Sequence, residues 1–371
     1  MRVGIIANSL DTGNPDRAGG FVHVVETAKR WTGVEIVVMG PRSAEAAFRR
    51  HLSIEHYIAV RDWGESISAS SMIFRSAEAL ARVRELRRKC DVTMAISHSI
   101  ADVLPALCFG RKRSIVQYWH FIGNPLRRNG SLTRNMLAYA NELVGRCLAH
   151  QCRGAICGST VIAREMNAVG KRFVHVTTNG VTRRLSASPP DRAGTIYVGR
   201  LHPTKGVEDL IKAWAAVNRD LPEERLTIVG AAHPEYLVVL RRSIEALGLS
   251  RVVDVRTDAD DPTKFALLSS ARLFAFASHE EGWGIALAEA MAFGLPCVTY
   301  DLPAFQEIFP VGRVWCPVKN VDAFANQVIA LLRDDQRRAS IGEEALRLSQ
   351  TFTWERAASI EFTALSEVAE G

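Results

Sequence analysis

The sequence lacks the features of several large classes of protein. No apolar run approaches the roughly 18–20 residues that a membrane-spanning helix needs, and no fixed internal period indicates a solenoid or a propeller. The first residues turn polar at Asn8, too soon for the apolar region of a signal peptide, and we expect a cytoplasmic location. With 47% hydrophobic residues, the chain has enough apolar mass to exclude predominant disorder.

Signatures of common cofactors are also missing. Neither the dinucleotide pattern G-x-G-x-x-G nor the P-loop pattern G-x-x-x-x-G-K-[ST] occurs. The seven cysteines include Cys147, Cys152 and Cys157 near His150, but their spacing lacks the C-x2-C pair of tight zinc sites. We therefore expect reduced thiols, no metal site and no cofactor.

The length of 371 residues suits two domains. Short apolar runs alternate with helical patterns in both halves, which predicts an α/β protein with two doubly wound parallel sheets. A polar, proline-containing stretch near residues 183–194 is typical of a linker, so we divide the chain into domains 1–184 and 185–352. The predicted strands are 3–7, 35–39, 92–96, 114–118, 154–157 and 175–177, then 195–198, 226–229, 252–255, 273–277, 297–299 and 314–316.

Charge is distributed unevenly between the two halves. Residues 1–184 hold 27 Lys and Arg against 14 Asp and Glu, whereas the remainder holds 19 against 26. A basic first half favours an anionic partner, such as an acidic membrane or a phosphorylated substrate, and an ordinary solvated basic face stays an alternative. Its basic runs are not interleaved with aromatic residues, and no nucleic-acid-binding motif is present, so we expect no nucleic acid partner.

Three loops carry residues suited to binding an anion or a sugar. Gly19 and Gly20 precede a helix and permit close approach of backbone N–H groups to a ligand. The loop after strand 195–198 carries Arg200 and Lys205, which are suited to a diphosphate. The segment 278–296 has a carboxylate at Glu281, just before a helix. Gly284, Ile285 and Ala286 form the N-terminus of that helix. A second carboxylate, Glu289, lies within the otherwise apolar helix.

These segments together resemble the retaining glycosyltransferases of family 4, the glycosyl transferases group 1. The resemblance rests on the E-x7-E pair Glu281 and Glu289 in EGWGIALAEAMAFGLP, on GRLHPTKG with Arg200 and Lys205, and on the Gly19-Gly20 loop, TTNGV and FTWER. It runs over nearly the whole chain. It implies the GT-B fold, in which two Rossmann-like domains face each other across a cleft.

The resemblance also implies a role for each matching residue. Arg200 and Lys205 would bind the donor diphosphate, together with the amides of Gly284, Ile285 and Ala286. Glu289 would bind the ribose, and Glu281 would contact the transferred hexose. Gly19 and Gly20 would close on the donor, His120 would line the sugar site, and the final helix, 353–371, would pack back on the first domain. Trp283 departs from the more common phenylalanine, and Asp258 and Asp260 form a D-x-D outside the context in which other glycosyltransferases bind metal.

The function expected from this resemblance is transfer of a hexose from a UDP- or GDP-sugar to an acceptor. Domain 1–184 would bind the acceptor and domain 185–352 the nucleotide sugar, without a metal. The basic first half favours an acidic or lipid-linked acceptor, such as a precursor of a cell-surface glycan, with peripheral contact at the inner face of the membrane. The alternatives are a nucleotide-sugar epimerase of the same fold and a non-catalytic nucleotide-sugar-binding subunit.

Overall fold

The chain folds into two compact units. Our computed structural model describes residues 1–10, 19–63, 69–119, 126, 132–167, 173–182 and 192–371. The first unit comprises Met1–Gly180 together with Thr353–Gly371, and the second comprises Val181–Phe352. Most of the polar segment from which we placed the domain boundary, residues 183–191, lies outside the described residues.

The first unit is built on a seven-stranded parallel sheet with the order β3-β2-β1-β4-β5-β6-β7. Most of its strands have apolar residues on both faces, as strands covered by helices on each side require. The strands are β1 (Arg2–Ile6), β2 (Glu35–Pro41), β3 (His56–Val60), β4 (Val92–Ala95), β5 (Ser114–Tyr118), β6 (Gly154–Cys157) and β7 (Phe173–Val176).

Helices cover both faces of this sheet. Phe21, Phe48 and Leu365, from three different helices, lie in the buried cluster on one face, and Val83 and Phe109 lie in the cluster on the other. The helices are α1 (Gly19–Ala28), α2 (Glu45–His51), α3 (Ala69–Lys89), α4 (Ile100–Gly110), α5 (Leu132–Ala149), α6 (Thr160–Asn167) and the last helix of the chain, α14 (Trp354–Glu370).

A buried polar network ties the last helix to the first. The His23 ring on α1 lies 2.5 Å from Glu361 Oε1 of α14 and 2.6 Å from Asn179 Oδ1. Gln117 of β5 donates to the same Glu361 oxygen at 2.7 Å. The end of the chain is therefore part of the core around its beginning.

The second unit contains a six-stranded parallel sheet with the order β10-β9-β8-β11-β12-β13. Its strands are β8 (Thr195–Val198), β9 (Leu226–Val229), β10 (Val253–Arg256), β11 (Leu273–Phe276), β12 (Cys297–Tyr300) and β13 (Arg313–Cys316). Its helices are α7 (Val207–Asp220), α8 (Pro234–Ala246), α9 (Asp261–Ser270), α10 (Ile285–Ala292), α11 (Pro303–Ile308), α12 (Val321–Arg333) and α13 (Asp335–Ser349).

The predicted fold class is confirmed, because both sheets are parallel and of the doubly wound, Rossmann-like type. Three elements of the first unit escaped the prediction. Strand β3 is a short edge strand, α2 has only seven residues, and α4 contains Pro105, which usually interrupts a helical pattern. Within the described residues, no helix is both long and apolar enough to cross a bilayer.

Candidate functional site

The candidate site lies where the strand order of the second sheet reverses. Strands β8 and β11 are neighbours, but the chain continues from β8 toward β9 on one side and from β11 toward β12 on the other. The loops that leave their carboxyl ends therefore diverge and open a crevice, which is where sheets of this type bind ligands. The predicted residues Arg200, Lys205 and Glu281 lie on these two loops.

The two loops are tied together by backbone contacts. The N–H of His279 donates to the carbonyl of Thr204 at 3.0 Å. Gly206 has φ +63°, and a Cβ atom there would lie 1.7 Å from the carbonyl oxygen of Ala277. Only glycine permits this approach, so Gly206 fixes the distance between the loops.

Lys205 and Glu281 form an ion pair across the crevice. The Lys205 ammonium lies 2.7 Å from Glu281 Oε1 and donates to the carbonyl of Glu280 at 3.0 Å. Ser278 donates to the same Glu281 oxygen at 3.0 Å. The lysine and glutamate side chains are 19% and 12% exposed, so both are held in place and still reach the crevice.

Arg200 differs from Lys205 in having an exposed side chain. Its guanidinium forms no hydrogen bond or ion pair with any residue in the described part of the chain. A guanidinium that is neither paired nor buried keeps its five donors for a ligand.

The N-terminus of α10 supplies a second group of donors. Gly284 is the N-cap residue, has φ +98° and makes no side-chain cap. A Cβ atom at this position would lie 2.8 Å from the ring of Phe305, so glycine is required here too. The first amides of α10, including those of Ile285 and Ala286, follow at the positive end of the helix dipole, which favours an anion.

Glu289 lies one turn inside α10 and is paired with a lysine that the sequence analysis missed. Lys264 of α9 places its ammonium 2.9 Å from Glu289 Oε1 and 3.2 Å from Asp261. Burial raises the pKa of Glu289 above its ordinary value, and the Lys264 charge offsets part of that rise.

A further network lies directly behind the loop that carries Glu281. Asp209 of α7 accepts hydrogen bonds from the His279 ring at 2.7 Å and from the Tyr300 hydroxyl at 3.0 Å. Burial alone would raise the pKa of Asp209, but these two donors and the His279 charge lower it overall. His279 stood within the segment we selected, whereas nothing in the sequence marked Asp209 or Tyr300.

Trp283 belongs to the core of the second unit. Its ring is 4% exposed and packs edge-to-face on Phe309 and Phe352, with centroid distances of 5.5 and 5.0 Å. Its large ring therefore anchors the loop between Glu281 and α10.

The residues considered for a metal have other contacts. Asp260 caps α9, accepting from the N–H of Thr263 at 2.9 Å. Cys147 is exposed whereas Cys152 and Cys157 are buried, and none of the seven cysteines forms a disulfide. No group of three potential metal ligands occurs among the described residues.

The remaining predicted residues belong to the first unit. Gly19 and Gly20 are the first residues of α1. His120 lies outside the described residues. The switch point of this sheet, between β1 and β4, carries a polar cluster that the sequence analysis missed: Asp102 of α4 accepts from the Ser9 N–H at 3.0 Å and from the Ser97 hydroxyl at 2.6 Å.

Solved structures with the same fold cover the whole chain. Sucrose-phosphate synthase from Thermosynechococcus elongatus superimposes with a TM-score of 0.79 over 99% of both chains, at 16% identity. Anabaena HepE in complex with UDP-glucose superimposes with a TM-score of 0.73 over 100% of this chain and 98% of that one, at 20% identity. At such identities the likeness shows the fold, which is GT-B.

Sequence relatives cover a shorter part of the chain. A phosphatidyl-myo-inositol mannosyltransferase of Mycobacterium leprae is 34% identical over 209 residues, 52% of this chain and 54% of that protein. A D-inositol 3-phosphate glycosyltransferase of Corynebacterium aurimucosum is 31% identical over 186 residues, 48% of this chain and 44% of that protein. The chain thus matches about half the length of these curated relatives.

The family match falls within one unit. Residues 181–347 match the model of the family described as glycosyl transferases group 1, and the second unit, Val181–Phe352, contains all of them. These residues include Arg200, Lys205, Glu281 and Glu289, the residues on which the resemblance chiefly rested. The second unit is therefore the part of the chain that matches the glycosyl transferases group 1 family.

Proposed function

We propose that the protein is a retaining glycosyltransferase that moves a hexose from a UDP- or GDP-sugar to an acceptor. The observation that carries the proposal is that Lys205 and Arg200 lie on the loop after β8 and that the N-terminus of α10 follows the loop after β11, the two loops that leave the switch point of the second sheet. Two cations and a helix N-terminus form a site for a diphosphate. No divalent metal is part of the proposal.

The chemistry requires stabilisation of a leaving group. As the bond between the anomeric carbon and the diphosphate breaks, negative charge grows on the diphosphate oxygens. Fixed donors aimed at that charge lower the barrier, by about 3 kcal/mol for each well-placed donor. Lys205 is already held by Glu281 and by the carbonyl of Glu280, so little reorganisation is needed when the diphosphate binds.

The two glutamates would bind the remaining parts of the donor, the ribose and the hexose. Glu289 carries a carboxylate that can accept hydrogen bonds from the ribose hydroxyls, and Glu281, beside Lys205, would contact the hexose. For Gly19, Gly20 and His120, a role in binding the sugar stays a prediction from the resemblance.

The acceptor is proposed to be acidic or lipid-linked, at the inner face of a membrane. Its support is the surface of the first unit. Five large apolar side chains on α5 are exposed and lie on one side of that helix, within an arc of about 140° at 100° per residue. They are Leu132, Met136, Leu137, Leu143 and Val144. Together with the excess of basic residues in this half of the chain, such a face suits an anionic lipid surface and a lipid-linked acceptor.

The donor side is tested by calorimetric titration with UDP, GDP and ADP, with and without EDTA. We expect saturable binding of UDP or GDP that EDTA does not change. The Arg200→Ala variant should lose at least about tenfold in affinity, since charge-assisted hydrogen bonds contribute roughly 1.5–3 kcal/mol each. Because the Arg200 side chain is exposed and makes no hydrogen bond or ion pair in the described residues, its loss should leave the melting temperature unchanged. Absence of binding by all three nucleotides would contradict the proposal.

A further inference from the structure

We propose that Lys264 is a positioning residue that holds Glu289 in its ionised form for nucleotide binding. The inference rests on the proposed function, in which Glu289 holds the ribose, and adds a residue from a different helix to that site. Lys264 lies on α9 and Glu289 on α10, so two separate elements meet at this pair.

The two oxygens of the Glu289 carboxylate have different surroundings. Oε1 lies 2.9 Å from the Lys264 ammonium. Oε2 makes no hydrogen bond with any residue that the structure describes, and the glutamate side chain keeps 16% exposure. One oxygen is therefore fixed by the lysine, and the other is left to accept from a ribose hydroxyl.

The helix around Glu289 is otherwise apolar. Its neighbours on α10 are Ala288, Ala290 and Met291, all buried. In such surroundings a carboxyl group loses its proton less readily unless a cation lies close to it. Burial raises the pKa of Glu289, the charge of Lys264 opposes that rise, and the charge of Asp261 adds to it.

Lys264 itself stays charged in this position. Although burial lowers the pKa of its ammonium, the charges of Glu289 and Asp261 raise it by more. Its charge is therefore constant throughout the neutral range, and a pH dependence that appears when Lys264 is replaced reports on Glu289.

The test is the pH dependence of UDP affinity in Lys264→Met, a variant that keeps the length of the side chain and removes the charge. UDP itself titrates, so the measured quantity is the ratio of the dissociation constants of variant and wild type at pH 6, 7.5 and 9. We expect the ratio to be largest at pH 6, because protonation of Glu289 removes its charge-assisted hydrogen bond to the ribose. The ratio should fall toward one as the pH rises, because a higher pH favours the ionised form of Glu289 without the lysine.

Two further variants serve as controls. Lys264→Arg keeps the charge and should restore wild-type affinity at every pH. Asp261→Asn removes the other partner of Lys264, whose side chain is 73% exposed, and should leave the affinity within about twofold of wild type, as a surface pair contributes little.

The outcomes separate the inference from the function on which it rests. A ratio that is large and equal at all three pH values would overturn the inference, since it would mean that Lys264 contacts the nucleotide directly or only supports the fold. A ratio near one throughout would also overturn it. If the wild type binds none of UDP, GDP and ADP, the proposed function fails first.

Discussion

At the scale of single residues, the fully buried carboxyl of Asp102 in the first unit makes the free energy of unfolding depend on pH. Asp102 accepts from the backbone and hydroxyl of Ser9 and from the hydroxyl of Ser97. Burial raises its pKa to about 6, although these donors oppose the rise. In the unfolded chain an aspartate titrates near about 4.

The sign of the effect follows from these two values. Between about pH 4 and pH 6 the folded protein binds a proton at Asp102 that the unfolded chain has released, so the free energy of unfolding falls as the pH rises through this window. A shift of about two pKa units corresponds to roughly 3 kcal/mol. Asp102→Asn removes this term, and an amide can still accept from the Ser9 N–H and donate to the serine hydroxyls.

We compare the free energy of unfolding of Asp102→Asn with that of wild type, measured by urea denaturation at pH 4 and at pH 7.5. We expect this difference to favour the variant by about 2–3 kcal/mol more at pH 7.5 than at pH 4. Asp91→Asn provides a control without this pH dependence. Hydrogen bonds from Arg2 lower the pKa of Asp91, so the stability that it contributes is present above about pH 4, and its replacement should cost a similar amount at pH 4 and at pH 7.5. Equal pH profiles for Asp102→Asn and wild type would contradict the assignment.

At the scale of elements, the distance between the loops after β8 and β11 depends on one glycine. We expect Gly206→Ala to cost about 3 kcal/mol or more and to abolish UDP binding, because its Cβ would overlap the carbonyl of Ala277. Gly248→Ala is the matched control. It has a similar φ of +69°, but nothing lies within 4 Å of its Cβ, so it should cost only about 1–2 kcal/mol and leave binding intact. Thermal melting and calorimetry measure both effects, and similar losses in the two variants would refute the steric explanation.

For these loops, the sequence predicted the segments that carry the site residues but not the partners of those residues. Local patterns predicted most strands and the segments that carry Lys205, Glu281 and Glu289, because strand periodicity and glycine-rich turns are properties of neighbouring residues. The partners that hold these side chains are distant in sequence. Lys264 precedes Glu289 by 25 residues and Asp209 precedes His279 by 70. Only the order of strands and helices in the folded unit brings them together.

At the scale of the whole molecule, length and the alternation of apolar runs with helical patterns predicted two parallel α/β units, but they did not show how buried polar side chains join the ends of the first unit. The contact of Glu361 with His23 spans 338 residues, and only the resemblance suggested that the final helix returns to the first domain. The excess of basic residues, in contrast, was visible in the sequence, while the apolar face of α5 required a structure. A helix pattern identifies apolar positions, but it does not show whether another element covers them.

That face leads to a prediction about where the whole protein binds. We expect the protein to co-sediment with vesicles containing an anionic phospholipid, to bind purely zwitterionic vesicles much less, and to be released by salt as screening increases. Replacing Met136 and Leu137 together by serine should reduce binding at least about tenfold, since burying one such side chain contributes roughly 1.5–3 kcal/mol. Replacing Val238 and Val239 of α8, which are 48% exposed in the second unit, by serine provides the matched control and should leave binding unchanged. If the α5 variant binds as well as wild type, the first unit contacts lipid elsewhere or not at all, and the acceptor must then be sought among soluble anionic molecules.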